Sequence, residues 1–389
     1  MKRGSPQIIR GTRTPRRAIE IILLAALALP PALALTGSGA NPPPLVRVKI
    51  GDLASSLEIS GPGLALESAG KLRRGDDFSV VWDGGSARVD GKKAALPISV
   101  SGGTFISVDG VQYRGRVRII ASSVPLVVNL VDVESYAAGV INQEIDSRWP
   151  QAALDAQVIL ARTYALARRE ERRGELFDLD RTVNDQVYGG AAAEDDLAWA
   201  AVNRTRGLVL TYGNELAAGL YHSCCGGRTA FPSEVWGGQD RPYQKSVECI
   251  YCEDAPRYFW RFPEKGSLDS AELSAMLGLK GAVTGLTVLS RTRSGRAASV
   301  LAEARTGNAE FTGQEFRKRM GYDKIWSTAF QVEKDGTGFV FRGSGSGHGA
   351  GLCQWGACGM AQAGFSSARI LGYYFPGAVV RSYDRLGLK

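Results

Sequence analysis

Histidine is almost missing from this chain, with two in 389 residues, so any imidazole chemistry must run through His222 or His348. Cysteine is absent from the first 220 residues; all six (Cys224, Cys225, Cys249, Cys252, Cys353, Cys358) fall in the C-terminal part. That clustering reads as site chemistry and excludes stapling scattered along the chain. A long apolar run is lacking too. The stretch Ile21–Leu29, broken by Pro30 and Pro31, is short for a stable membrane span. No internal repeat is present.

The chain also has little intrinsic basicity, despite a net charge of +8. Residues 1–34 hold six Lys/Arg and the single acid Glu20, so their removal leaves about +3. These residues follow the order of a secretory signal: a basic n-region, the short apolar run, then small residues at Ala32-Leu33-Ala34. Cleavage is expected, with retention as a single N-terminal anchor as the alternative and the chain's only link to a membrane. A nucleic-acid partner is excluded as the reading of the charge, because the charge belongs to the signal. Export to the periplasm or cell envelope is the expectation.

What is present is an ordinary globular composition, 44% hydrophobic and 22% charged, with 48 glycines in turns and dense clusters. After a Gly/Pro linker (35–44), residues 45–120 alternate with period two, as in Val46-Val48-Ile50 and Phe78-Val80-Trp82. Turns such as Asp83-Gly84-Gly85 separate the runs. Helical spacing begins near residue 132. Helices are predicted over Glu134–Gln143, Gln151–Arg173 (opened by Pro150, closed by Gly174) and Ala193–Arg206. Residues 262–335 read as an inserted lobe, with helices at Ser270–Leu277 and Thr312–Met320 and strands at Leu286–Ser290 and Ala298–Ala302. A last helix is predicted near Leu352–Ala363. The fold class is α/β (mixed α+β). A β-rich segment (45–112) precedes the main domain (113–389).

Glu144 ends an apolar helical turn just before the Trp149-Pro150 break, where Ile141, Ile145 and Trp149 can desolvate it. Such a carboxyl has a raised pKa and suits a general acid, although from position alone a solvated surface Glu is the default reading. Both histidines sit in glycine-dense loops, His222 in Tyr221–Gly227 and His348 in Gly343–Gly351. Beyond them, Cys249-Ile250-Tyr251-Cys252 supplies a C-x-x-C pair. His222, Cys225, Cys249 and Cys252 form a tetrahedral zinc set, with Cys224 as the alternative to Cys225 and disulfides among the same thiols as the competing reading. Cys353 and Cys358 read as free buried thiols.

In this order, the segments resemble the SpoIID/LytB family. The matching stretches include Val128–Tyr136, Gly139-Val140 to Glu144, Ala161-Arg162-Thr163-Tyr164-Ala165, and Asp185–Gly190. They continue with His222–Thr229, Glu234–Gly238, Gly345–Gly349 and Gln354–Ala361. The resemblance covers about residues 113–385. It implies a lytic transglycosylase acting on peptidoglycan glycan strands stripped of stem peptides, with Glu144 as acid and then base. It also places Arg162, Gln186, Tyr188, Ser223, His348 and Gln354 at polar positions that line a sugar groove. For Arg162, pairing with an internal carboxylate is the alternative, and Trp236 and Trp355 either stack on sugars or belong to the core. The chain departs from the family where Met-Pro becomes Ile145-Asp146, where Ser-Gln becomes Cys353-Gln354, and where Thr-Ser becomes Cys224-Cys225. The cysteine-bearing turn resembles a subset of the family, which supports structural zinc. The second class of function is a non-catalytic modifier of a cell-wall amidase or a glycan scaffold.

Overall fold

The computed structural model describes residues 42–387; the signal and most of the linker lie outside them. The first strand, Leu45–Asp52, points Val46, Val48 and Ile50 inward, as its alternation requires. It pairs antiparallel with Leu126–Asp132 and parallel with the short strand Leu179–Asp180. From Leu126–Asp132 the sheet continues through Arg116–Ile120, Ile98–Ser101, Ser56–Ser68 and Lys71–Trp82 to two short edge strands. This sheet of 11 strands runs unbroken across residue 112, so the β-rich segment and the start of the main domain share one sheet.

Strand Leu126–Asp132 feeds directly into helix α1 (Val133–Glu144). Asp132 caps it by accepting from the backbone of Glu134 and Ser135. Helix α2 (Gln151–Glu171) comes next, with Pro150 at its N-cap. Helix α3 (Asp196–Arg204) is shorter than the predicted Ala193–Arg206 because Asp195 caps it, accepting from Ala198; a 3-10 turn, Gly190–Ala193, precedes it. Ala137, Ile141, Leu154, Val158, Ala198 and Val202 form the core between α1, α2 and α3. Each buried Leu or Val there contributes about 1.5–3 kcal/mol. Helix α4 (Pro232–Trp236) is a short excursion before the lobe.

The lobe has its own core. Helices α5 (Ser270–Leu277) and α6 (Gly313–Met320) pack with the ladder Val283–Arg291, Ala297–Ala304 and Gly307–Thr312. Phe316 contacts Phe330 and Phe341, with ring centroids 5.5 and 5.9 Å apart. The chain then returns to the main body through α7 (Gln354–Gln362) and α8 (Ser367–Tyr374). Helix α7 starts two residues later than the spacing predicts because the Cys353 sulfur caps it, accepting from the Gly356 amide.

Two segments distant in sequence meet between these parts. Tyr221-His222 pairs in parallel with Leu352-Cys353, and Cys224 bridges to Ser346. Gly351 is needed here. Its φ is +76°, and a Cβ would lie 2.1 Å from the Leu220 carbonyl oxygen.

Candidate functional site

Glu144 is the last residue of α1, half-buried, with its carboxyl at the negative end of the helix dipole. Burial raises its pKa above the ordinary carboxylate value, and two donors oppose the rise: the Val187 amide (3.2 Å) and the Tyr221 hydroxyl. The Gln186 amide donates to Tyr221 (2.8 Å) and its carbonyl accepts from Tyr136 (3.0 Å). Period-two alternation turns Tyr221 and His222 to opposite faces of their strand, which sends Tyr221 toward Glu144. Tyr221 escaped the sequence reading although it adjoins His222.

Two clefts meet at Glu144. One, about 600 Å³, is lined by Gln186, Trp236, His348 and, from the lobe, Gln314, Arg317 and Tyr322. The other, about 870 Å³, is lined by Trp149, Ser223, Gln354 and Trp355. Trp149 and Trp355 meet edge to face at 5.0 Å. Trp236 is 58% exposed and lies 4.8 Å from the His348 ring. Gln186 and His348 line the first cleft, and Ser223 and Gln354 line the second. The lobe's contribution was not legible, because nothing in a local pattern tells which face a lobe turns to a distant site.

Arg162 and Tyr188 are placed elsewhere. Arg162 is fully buried, 2.6 Å from Glu134 and 2.7 Å from the Leu208 carbonyl. Tyr188 is buried and donates to Asn129 at 3.0 Å. Both hold the fold together and line neither cleft. Asp146, beside Glu144 in sequence, is held by Arg148 with a pKa lowered to about 2, so it stays ionised.

Burial disfavours the charged form of both histidines. Burial pushes His348 down to about 4, and its Nδ1 accepts from the Ala350 amide at 3.1 Å. Burial pushes His222 well below its ordinary value, and its Nδ1 lies 3.0 Å from the Ala350 carbonyl oxygen.

The cysteines gather without His222. The sulfurs of Cys225, Cys249, Cys252 and Cys353 lie within 4.8 Å of one another and are all buried. Cys225 and Cys252 are 3.5 Å apart, and all six cysteines are free thiols, so the disulfide reading is not realised. A tetrahedron with metal–sulfur distances of about 2.3 Å has edges of about 3.8 Å, which this group fits. The group thus holds Cys353 where the expected set had His222: the parallel pairing sets His222 beside Cys353, but the imidazole turns to Ala350 and the sulfur turns to the cluster. Burial and the neighbouring thiols push the Cys353 pKa well up, and the amides of Cys225 (3.2 Å) and Gly356 (3.3 Å), which donate to its sulfur at the start of a helix, oppose that rise. Cys358 stays outside the group.

Residues 122–212 match a family described as stage II sporulation protein. An uncharacterized protein of Brachyspira hyodysenteriae is 31% identical over 287 residues, covering 72% of this chain and 75% of the relative. The chain belongs to the SpoIID/LytB family. Stage II sporulation protein D of Bacillus subtilis is 26% identical over 272 residues, 65% of this chain and 76% of the relative. The amidase enhancer of Bacillus subtilis is 29% identical over 341 residues, 74% of this chain; the chain spans about half that relative's length (46%). The SpoIID match contains Glu144, Tyr136 and Gln186 but none of the four clustered cysteines. The lobe matches a separate family, a domain of unknown function (DUF8618), over residues 257–351. A SpoIID-type core thus carries a second module whose residues reach the same cleft.

Proposed function

We propose that the chain is a lytic transglycosylase of the cell envelope that cuts denuded peptidoglycan glycan strands. The observation that carries this reading is Glu144, a half-buried carboxyl with a raised pKa at the meeting of two clefts. Protonated, Glu144 gives its proton to the oxygen joining N-acetylmuramic acid to N-acetylglucosamine, and the C1–O bond breaks through an oxocarbenium-like state. The Glu144 carboxylate then takes the proton of the muramic C6 hydroxyl, whose oxygen bonds to C1. A 1,6-anhydro end results and the enzyme's proton is restored. Gln186 and Tyr221 hold the carboxylate in place between the two steps. Trp236 and Trp355 offer aromatic faces to the sugars on either side.

Cys225, Cys249, Cys252 and Cys353 would hold a Zn²⁺ ion. Four thiolates leave no open position, so the ion supplies cross-linking and no catalytic step. It would tie the Tyr221–Cys225 turn, the C-x-x-C loop and the start of α7, all of which flank the clefts.

The amidase-enhancer relative favours a second reading, in which the chain binds glycan and stimulates a cell-wall amidase. Digestion of amidase-stripped peptidoglycan by wild type and Glu144→Gln, read by mass spectrometry, separates the two. Anhydro-muramic ends made by wild type alone support the transglycosylase. Their absence from both, with folded protein and a glycan that a control enzyme cuts, transfers support to the modifier.

A further inference from the structure

Arg296 presents a problem that the catalytic cleft does not solve. It sits between the lobe strands Val283–Arg291 and Ala297–Ala304, and only 2% of it is exposed. Its Nη2 donates to two carbonyl oxygens, of Cys225 (2.9 Å) and Arg228 (3.2 Å), while Nε and Nη1 have no partner. It forms no ion pair with a carboxylate among the described residues. Glu234, the acid that acts on it, is taken up by the Ser294 amide at 3.1 Å and by Arg293 at 3.8 Å. A guanidinium buried this way is costly unless a negative charge lies close by.

The cysteine cluster has the converse problem. A divalent ion held by four thiolates carries a net charge of about −2, and all four residues are buried. Cys225 ties the two together, since its sulfur joins the cluster and its carbonyl oxygen accepts a hydrogen bond from Arg296. The approach of Arg296 is built into the backbone as well. Gly349 has φ +88°, and a Cβ there would lie 2.6 Å from the guanidinium carbon.

We infer that Arg296, delivered by the inserted lobe, is the counter-cation of a metal–tetrathiolate centre at Cys225, Cys249, Cys252 and Cys353, so that metal loading and seating of the lobe are one equilibrium. The inference rests on the metal reading of the cysteine cluster and goes beyond it. It gives the lobe a reason to stay fixed against the core. The same lobe presents Gln314, Arg317 and Tyr322 to the Glu144 cleft, so the ion sets one wall of that cleft without touching substrate. Arg296 is a positioning residue in this scheme.

The test uses the full chain, stripped of metal and titrated with Zn²⁺ against a chromophoric chelator. Arg296→Met is expected to bind zinc about 10–100-fold more weakly than wild type, the usual cost of losing an outer-shell partner. Arg296→Lys restores part of that loss, and Glu234→Gln leaves zinc affinity unchanged. Hydrogen exchange on the wild type supplies an arm that needs no variant: chelation raises exchange across 291–297 and leaves the 45–132 sheet as it was. Zinc bound by wild type, with equal affinity in a folded Arg296→Met, overturns this inference alone. Exchange at 291–297 indifferent to metal does the same, even if Arg296→Met does not fold. A wild type that takes up no zinc removes the metal reading and this inference together.

Discussion

The Tyr221 hydroxyl stands between Gln186 and Glu144, accepting from the Gln186 amide at 2.8 Å and donating to the carboxyl that ends α1. A donor to a carboxylate favours its charged form and so lowers its pKa. Tyr221→Phe removes that donor, and the Glu144 pKa rises further. The acid must be protonated to act, so the alkaline limb of kcat/KM moves to higher pH in Tyr221→Phe. A pH–rate profile checks this, and an unmoved limb removes Tyr221 from the tuning of Glu144.

Glu144 also has a stability signature. Its folded pKa is raised, so the folded state holds the proton more tightly than the unfolded one. Its contribution is therefore lost as pH climbs from the ordinary Glu value through the raised one. Glu144→Gln abolishes activity yet is expected to melt about 1–2 °C higher than wild type at pH 7, with the gap closing near pH 4. Paired melting curves at the two pH values decide it.

Arg162 and Glu134 are both fully buried and 2.6 Å apart, with the Gly207 amide at 2.9 Å completing the carboxylate. Removing one partner strands the other charge. Arg162→Met should cost about 3–5 kcal/mol in denaturant unfolding, with no specific effect on substrate binding in the protein that remains folded. A drop in glycan affinity at unchanged stability would return Arg162 to the groove.

The two candidate ligand sets differ at one position, and metal analysis separates them. Cys353→Ser is expected to lose the stoichiometric zinc and to melt lower, as chelated wild type does, while His222→Ala keeps the metal. Retention by Cys353→Ser with loss by His222→Ala reverses the assignment.

Trp236 is mostly exposed and sits on the cleft wall, so its ring contributes little to the core. Trp236→Ala should leave the melting temperature unchanged and raise KM about tenfold, equivalent to about 1.4 kcal/mol of stacking. Equal kinetics in the two proteins would assign the ring another role.

Local pattern carried much of this site. The alternation of Val46, Val48 and Ile50 marks a real strand, and the helical spacing over Glu134–Gln143 marks α1. The C-x-x-C pair at Cys249 and Cys252 does lie beside Cys225. The errors came where a residue's neighbours are remote. Cys353 is the free buried thiol the sequence predicts, yet its place in the four-sulfur group was not legible, because its partner strand, Tyr221-His222, is about 130 residues away. Arg162 and Tyr188 matched groove positions by motif, yet the packing of α1 against α2 and the sheet closes over both.

By itself, then, the sequence determined which stretches form strands and which form helices, which carboxyl stands at a helix terminus, and which thiols are close along the chain. These are properties of spacing and capping within a few turns. Only the tertiary structure decided that Cys353 replaces His222 in the cluster, that Arg296 arrives beneath it, and that the lobe faces Glu144. Those outcomes depend on pairing between segments far apart in sequence, where register and the exclusion of water from a shared core choose each side chain's surroundings.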